Sequence, residues 1–241
     1  MNSLAQRRVQ PASEAASQVF DAAAVLVDIE GTISSSDFVK GALFPYAAAR
    51  LRDYVVKRRF EPGVAGLLEE ARKLSVGDPI AALEDWQARD VKAKPLKTLQ
   101  GWIWEEGYIE GAFAPPLFAD ALDALRRWRS LGVPLYVYSS GSVAAQILFF
   151  RYSSEGDLRS LFAGHYDASV GAKTEPESYR SISRGIGVAP GAILFLSDNA
   201  GEIAAASEAG FQVGHVTKET APDRRWPPIR DFGEIELVRQ K

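Results

Sequence analysis

The sequence contains no cysteine and only two histidines, His165 and His215. The absence of cysteine excludes disulfide bonds, thiolate metal sites and cysteine nucleophiles. Two histidines are too few for a histidine-rich metal site, and we expect both to be ordinary packed or surface residues. Oxygen ligands therefore remain for any metal ion that this protein binds.

Long apolar runs and an excess of positive charge are also missing. No run approaches the ~20 residues that are needed to cross a bilayer, and residues 1–19 lack the apolar block of a signal peptide. A net charge of -3 disfavours a nucleic-acid or anionic-membrane surface as the main partner. We therefore expect a cytoplasmic protein that binds neither nucleic acid nor membrane. We also expect a monomer, because no predicted helix has an apolar surface that would require a second subunit to cover it.

Hydrophobic residues make up 46% of the 241 residues, which is enough for a sizeable core. Patterns typical of short buried strands alternate with helical patterns along the chain. This alternation predicts an α/β fold of the Rossmann-like type, with a parallel sheet and right-handed crossovers. The predicted strands are 25–28, 133–138, 166–170, 192–196 and 212–216.

The segment between the first two strands shows helical patterns and no strand alternation. It is too long for a single crossover helix, so it predicts an all-helical cap domain inserted over the strand ends. Pro45 is expected to bend or interrupt the first of these helices. The predicted cap helices are 38–59, 64–73, 78–91 and 95–106. The predicted division of the chain is a disordered extension 1–20, a core 21–35 and 113–241, and a cap 36–112.

Carboxylates stand at the ends of two predicted strands. Asp28 ends the first strand, with Glu30 two positions later, and Asp198 ends the fourth. In open parallel sheets, ligands bind beyond the carboxyl ends of the strands. Two buried carboxylates repel each other unless a cation neutralises them. Mg²⁺ fits this pair because it takes one or two carboxylates, waters and a phosphate oxygen of the substrate.

Groups that bind anions follow other strands. Ser139, Ser140 and Gly141 precede a predicted helix, whose N-terminus is a ready anion site. Lys173 lies in the loop after the third strand. Taken singly, each of these residues is more typical of a helix cap or a solvated loop. Together with Asp28 and a bound metal ion, they form a set that can accept a phosphoryl group. This set consists of a carboxylate nucleophile, a metal, a hydroxyl and an ammonium.

These residues resemble the four motifs of the haloacid dehalogenase superfamily. Most phosphatases of that superfamily carry aspartate where this chain has Glu30. The Asp-Ile-Glu-Gly-Thr form is similar to that of the acireductone synthases, the bifunctional enolase-phosphatase family of methionine salvage. The motif residues are 28–32, Ser139 at the end of a hydrophobic strand, Lys173, and 195–198 with the sequence Phe-Leu-Ser-Asp.

The resemblance spans residues 24–216 and implies a haloacid dehalogenase-type core. It also implies a substrate, 2,3-diketo-5-methylthiopentyl 1-phosphate, that is first enolised and then dephosphorylated. Asp28 would be the nucleophile that becomes an aspartyl-phosphate, and it would bind Mg²⁺ together with Asp198. Glu30 would give its backbone carbonyl to the metal and its carboxylate to proton transfer. The phosphate-holding residues would be Ser139, Ser140 and Lys173.

Two segments depart from the family pattern. Residues 216–220 lack the Arg-Pro-Gly-type sequence that is expected there, and residues 198–202 are lightly altered. Glu202 is nevertheless a candidate for orienting a metal-bound water. The base that removes the proton alpha to the carbonyl is left open between Glu30 and a cap residue. We expect most cap aromatics in the core of the cap, with one or two lining a pocket for the methylthio tail.

Three other functions fit parts of the pattern. A haloacid dehalogenase-type phosphatase of another small phosphomonoester would share every catalytic residue. A phospho-acceptor signalling domain would use a similar acidic pair, hydroxyl and lysine, but it would have no cap. A catalytically inactive binding module is disfavoured because no member of the constellation is missing. Phosphate release from a small ester separates the enzymes from the other two classes.

Overall fold

The computed structural model describes residues 17–238. Its main sheet has six strands, all parallel, in the order β4-β3-β2-β5-β6-β7, and β1 pairs with β8 in a separate two-stranded sheet. Parallel pairing of strands that alternate with helices confirms the predicted α/β fold class. The strands are β1 (Gln18–Asp21), β2 (Ala24–Val27), β3 (Leu135–Tyr138), β4 (Phe162–Tyr166), β5 (Ile193–Ser197), β6 (Gln212–Val216), β7 (Pro228–Ile229) and β8 (Ile235–Val238).

Helices cover both faces of the main sheet, and a helical segment lies between β2 and β3. The α-helices are α1 (Ser36–Phe38), α2 (Phe44–Arg58), α3 (Pro62–Leu74), α4 (Pro79–Ala88), α5 (Lys94–Ile109), α6 (Ala119–Ser130), α7 (Val143–Arg151), α8 (Pro176–Ile186) and α9 (Ala200–Glu208). A π-helical turn spans Val39–Leu43, and 3-10 turns span Arg159–Leu161, Pro190–Ala192 and Phe232–Glu234.

Strand β2 is the centre of the sheet and is buried on both faces. Its side chains alternate between two hydrophobic clusters, as the two-residue period of a strand requires. Val25 and Val27 pack in a cluster with α6 and α7, whereas Ala24 and Leu26 pack in a cluster with α8 and α9. A fully apolar run is therefore the expected sequence for this position. Because β2 lies in the middle of the sheet, the residues that follow Val27 lie at the middle of the edge formed by the strand ends.

Helices α2 to α5 share a hydrophobic cluster of their own. Its buried members run from Ala47 to Ile103 and include Leu51, Leu83 and Leu99. A second, smaller cluster joins these helices to the sheet layer, because Leu43 and Tyr108 pack there with residues of α7. The inserted segment thus has a core separate from the two clusters of the sheet.

Pro45 does not interrupt the first helix of the insertion. The chain stays helical from 36 to 58, and Pro45 lies in the first turn of α2, directly after the π-helical turn. The Phe44 N–H donates to the carbonyl of Val39, five residues back. First-turn N–H groups have no partner within their own helix, so proline is tolerated there.

The third predicted strand lies earlier in the chain than expected. Strand β4 ends at Tyr166, and residues 167–170 form a turn. The Asp167 carboxylate accepts hydrogen bonds from the Ser169 N–H at 2.9 Å and the Val143 N–H at 3.1 Å. This aspartate bends the backbone and takes it out of the sheet.

The predicted boundary of the N-terminal extension was also wrong. Residues 18–21 form β1, which pairs with β8 near the other end of the described chain. The rest of the predicted extension, 1–16, lies outside the described residues. The tail after 217, which showed no strand pattern, contains both β7 and β8. Both strands depend on partners that no local pattern reveals.

None of the helices in 17–238 combines the length and the apolar character that a membrane span requires. The cytoplasmic location and the monomeric state stay predictions.

Candidate active site

Three of the predicted site residues lie at one edge of the sheet, each at the end of one of three neighbouring strands. Strand β2 pairs with β3 on one side and with β5 on the other, all parallel. Asp28, Ser139 and Asp198 each follow the last residue of one of these strands. Because the carboxyl ends of parallel strands share an edge, these positions are neighbours.

Lys173 is held between two carboxylates. Its Nζ lies 2.6 Å from Asp28 Oδ1 and 2.6 Å from Glu202 Oε2. Asp28 is only 6% exposed, so this contact is shielded from water. The Tyr179 hydroxyl donates to the main-chain carbonyl of Lys173 at 2.7 Å and fixes the loop that carries the lysine. Glu202 also accepts from the Ser197 hydroxyl at 2.9 Å.

Thr32 and Gly31 join the loop after β2 to the loop after β5. The Thr32 hydroxyl donates to Asp28 Oδ2 at 3.5 Å and accepts from the Asp198 N–H at 3.0 Å. Gly31 has a φ of +73°, and a Cβ at this position would overlap the Asp198 carboxylate. The loop therefore needs glycine for its backbone conformation and for the close approach of Asp198.

Burial and mutual repulsion perturb the acids of this cluster. Burial, followed by the charge of Asp28, raises the pKa of Glu30, raises that of Asp198 to about 6 and raises that of Glu202 to about 7. Burial acts to lower the pKa of Lys173, but the charges of Asp28 and Glu202 outweigh it and the pKa is raised. The lysine therefore stays an ammonium, and the surrounding acids hold their protons more tightly than in water.

The donor set suits a hard divalent cation. Four carboxylates gather around one ammonium, which leaves an excess of buried negative charge. Within residues 17–238, no three His, Cys, Asp or Glu side chains are placed to hold a metal ion together. Protein ligands here would thus be fewer than three side chains. Such a set, completed by a carbonyl and waters, is typical of Mg²⁺.

A cavity of about 240 Å³ opens beside Glu30 and Ser139. Ser139 is buried and its Oγ accepts from the Gly141 N–H at 3.2 Å, whereas Ser140 is exposed. The cavity lies between the inserted helices and the loop that follows β3. Its lining includes Glu30, Val39, Leu43, Phe44, Gln87, Lys92, Lys97, Gln100, Trp104, Tyr108, Ser139, Ser140, Gly141, Ser142, Ala145 and Phe149.

Residues that the sequence patterns did not reveal also support the site. The carbonyl of Asp198 accepts from the Thr220 hydroxyl at 3.2 Å and lies 3.1 Å from His215 Nε2. Glu219 accepts from both the N–H and the hydroxyl of Ser36, each at 3.0 Å. Thr220 and Glu219 belong to the segment that departs from the family pattern, and only its location after β6 hinted at a role.

The family model described as haloacid dehalogenase-like hydrolase matches residues 22–210. The chain belongs to this family.

Several haloacid dehalogenase-like relatives match nearly the full chain. Enolase-phosphatase E1 of Bradyrhizobium is 51% identical over 225 residues, which cover 92% of this chain and 98% of that protein. Enolase-phosphatase E1 of Aquifex aeolicus is 42% identical over 220 residues, covering 89% and 99%. The crystal structure of the UTR4 protein from Saccharomyces cerevisiae aligns with a TM-score of 0.74 at 34% identity, covering 88% and 99%.

These comparisons confirm the superfamily, the fold class and the hydrolase activity that the sequence predicted. Haloacid dehalogenase-like enolase-phosphatases are generally metal-dependent, in agreement with the excess of carboxylates at the site.

Proposed function

We propose that this chain is a Mg²⁺-dependent enolase-phosphatase of methionine salvage. It converts 2,3-diketo-5-methylthiopentyl 1-phosphate to acireductone and inorganic phosphate. The main support for this proposal is the contact between Asp28 and Lys173. Asp198 lies beside this pair, and a cavity lined partly by aromatic residues lies next to it. The high identity to curated enolase-phosphatases supports the choice of substrate.

Asp28 is proposed as the nucleophile. One of its carboxylate oxygens bonds to phosphorus while the bond between phosphorus and the ester oxygen of the substrate breaks. The Lys173 ammonium, 2.6 Å from Asp28 Oδ1, orients this carboxylate. Water then attacks the aspartyl-phosphate, which releases phosphate and restores Asp28.

Glu30 is proposed as the general acid and base. Burial raises its pKa, so the protonated form persists closer to neutral pH than for an ordinary glutamate. It donates this proton to the ester oxygen as the phosphorus bond breaks. The carboxylate then takes a proton from the attacking water. Ser139 and Ser140 are proposed to hold the phosphate at the N-terminal side of α7.

A bound Mg²⁺ would be held by the side chains of Asp28 and Asp198 and by the main-chain carbonyl of Glu30. It would supply Lewis-acid polarisation of the phosphoryl and carbonyl oxygens. The buried excess of carboxylates supports a divalent ion at this point.

We propose that the inserted helices, within 36–112, act as a cap over a core of 21–35 and 113–241. Trp104 and Phe44 line the cavity, and their aromatic rings suit a methylthio tail. Selectivity among phosphate esters would then come from the cap, because the phosphate site itself accepts any monoester.

The test is anaerobic incubation of the enzyme and Mg²⁺ with the diketo phosphate. Enediol absorbance and free phosphate should both appear. The Asp28→Asn variant should lose phosphate release while keeping its thermal midpoint, and Asp123→Asn, on the exposed face of α6, should match the unmodified enzyme. Phosphate release from many unrelated esters without turnover of the diketo phosphate would instead indicate a phosphatase with another substrate.

A further inference from the structure

The cavity is polar at one end and apolar at the other. On α5 its lining residues recur with helical spacing, from Lys97 through Gln100 to Trp104 and Tyr108. The facing wall changes from polar to apolar in the same direction, because Ser142 caps the N-terminus of α7 and Phe149 lies further along this helix. This arrangement favours a ligand whose oxygen-rich end lies at Lys97 and at the loop 139–142 after β3.

Lys97 joins the inserted helices to the loop proposed to hold phosphate. Its Nζ donates to the main-chain carbonyl of Ser140 at 3.0 Å. An ammonium has three N–H donors, so one such contact leaves donors for a further acceptor. The side chain is half-buried at the cavity wall.

Of the two lysines that line the cavity, Lys97 and Lys92, only Lys97 forms no ion pair within residues 17–238, although its charge acts on the Asp167 carboxylate. Among residues 17–238 no carboxylate oxygen lies within 4.0 Å of its Nζ, whereas Lys173 contacts both Asp28 and Glu202. Lys92, which also lines the cavity, pairs with Asp90 at 2.5 Å. A phosphate dianion beside this acidic cluster needs a positive charge that is not already in an ion pair, and Lys97 is a lysine of that kind at the cavity wall.

We infer that Lys97 is a substrate-binding residue that binds a phosphate oxygen of the substrate from the side of the inserted helices. This role rests on the proposed function. The contact forms only where α5 meets the Ser140 loop, so phosphate binding and closure of the inserted helices stabilise each other. Lys173 contacts the carboxylate of Asp28 directly, whereas Lys97 approaches from the inserted helices.

The test compares three variants of the full-length enzyme with Mg²⁺. Lys97→Met removes the charge, Lys97→Arg keeps it, and Lys94→Met removes an exposed lysine of the same helix that pairs with Glu70. We expect Lys97→Met to raise KM for the diketo phosphate by about tenfold or more, as for a lost charged hydrogen bond. Lys97→Arg should stay within about threefold, and Lys94→Met should be unchanged.

Calorimetric titration with inorganic phosphate is the second measurement, since it does not require turnover. Lys97→Met should bind phosphate about tenfold more weakly than the unmodified enzyme, at an equal thermal midpoint. Equal phosphate affinity and KM in Lys97→Met would overturn the inference, and so would a Lys97→Arg variant as weak as Lys97→Met. Failure of the unmodified enzyme to form the enediol would overturn the proposed function instead, and the phosphate titration would still decide the role of Lys97.

Discussion

At the scale of single residues, Gly31 combines two requirements of the site. Its φ of +73° is a conformation that side chains disfavour, and a Cβ would overlap the Asp198 carboxylate. Gly77 provides a natural comparison, because its φ is +94° but open space surrounds it. The two positions separate the effect of backbone strain from the effect of crowding.

We expect Gly31→Ala and Gly77→Ala each to lower the free energy of unfolding by roughly 1 kcal/mol, because alanine is strained at positive φ. Only Gly31→Ala should displace Asp198, and it should raise the Mg²⁺ concentration for half-maximal activity by about tenfold. Denaturant unfolding and Mg²⁺ titration of activity check the two parts. An identical Mg²⁺ dependence in both variants would show that Gly31 does not position a metal ligand.

Glu202 makes the stability of the metal-free protein depend on pH. Its pKa is about 7 in the folded protein against an ordinary 4.5, so the folded state binds this proton more tightly than the unfolded chain. The contribution of Glu202 to stability is therefore greatest below pH 4.5 and falls as the pH rises towards 7.

Relative to Glu202→Gln, the unmodified protein should lose stability between these pH values, with a slope of up to about 1.4 kcal/mol per pH unit. Urea unfolding in the presence of a chelator, at pH values below and above this window, measures the difference. A gain in relative stability with rising pH would mean that the carboxyl is not held protonated in the folded state.

At the scale of elements, the loop after β6 connects two parts of the site. Thr220 binds the carbonyl of Asp198, and Glu219 binds the first residue of α1, where the chain leaves the sheet for the inserted helices. This loop lacks the family's expected sequence, but its side chains make specific contacts. Two adjacent residues of this loop, Glu219 and Thr220, thus contact the start of the insertion and the main chain of Asp198.

Glu219→Ala should release the start of α1. We expect the Ser36 amide to exchange its hydrogen faster, with a loss of about 1 kcal/mol in unfolding free energy from the missing hydrogen bonds. Hydrogen exchange followed by mass spectrometry measures this, and Glu236→Ala on the exposed side of β8 is the control. Unchanged exchange around residues 34–38 would show that the two bonds to Glu219 do not hold this segment.

At the scale of the whole molecule, the inserted helices and the sheet have separate hydrophobic clusters. Leu99 is fully buried in the cluster of α2 to α5, and Leu194 is fully buried beneath the sheet. Their smaller shared cluster, which includes Leu43 and Tyr108, is the main apolar connection between the two parts. We therefore expect the insertion to open without unfolding of the sheet.

Leu99→Ala should cost about 2–5 kcal/mol locally and should lower hydrogen-exchange protection in residues 44–109 more than in the strands. Leu194→Ala should instead lower protection in both parts, because the insertion depends on the sheet for its connection. Native-state hydrogen exchange of both variants provides the comparison. An equal loss of protection throughout the chain with Leu99→Ala would mean that the protein unfolds as one unit.

Sequence patterns predicted the structure best where a strand and the functional residue that follows it are adjacent in the chain. The apolar run before Asp28 predicted a buried strand, and the run before Asp198 predicted another, because strands buried on both faces need such runs. The family and the hydrolase activity followed from the residues after those strands. Asp167 shows the opposite case, since its side chain turned an apparent strand into a loop.

The sequence by itself determined the alternation of helices with strands β2, β3, β5 and β6 and which polar residues follow β2, β3 and β5, because both depend on near neighbours along the chain. Only the tertiary structure decided that β1 pairs with β8, that Glu219 holds Ser36, and that Lys97 reaches the Ser140 carbonyl. These contacts join residues that are far apart in sequence. Packing brings them together, and no local period or composition encodes which distant group a side chain will meet.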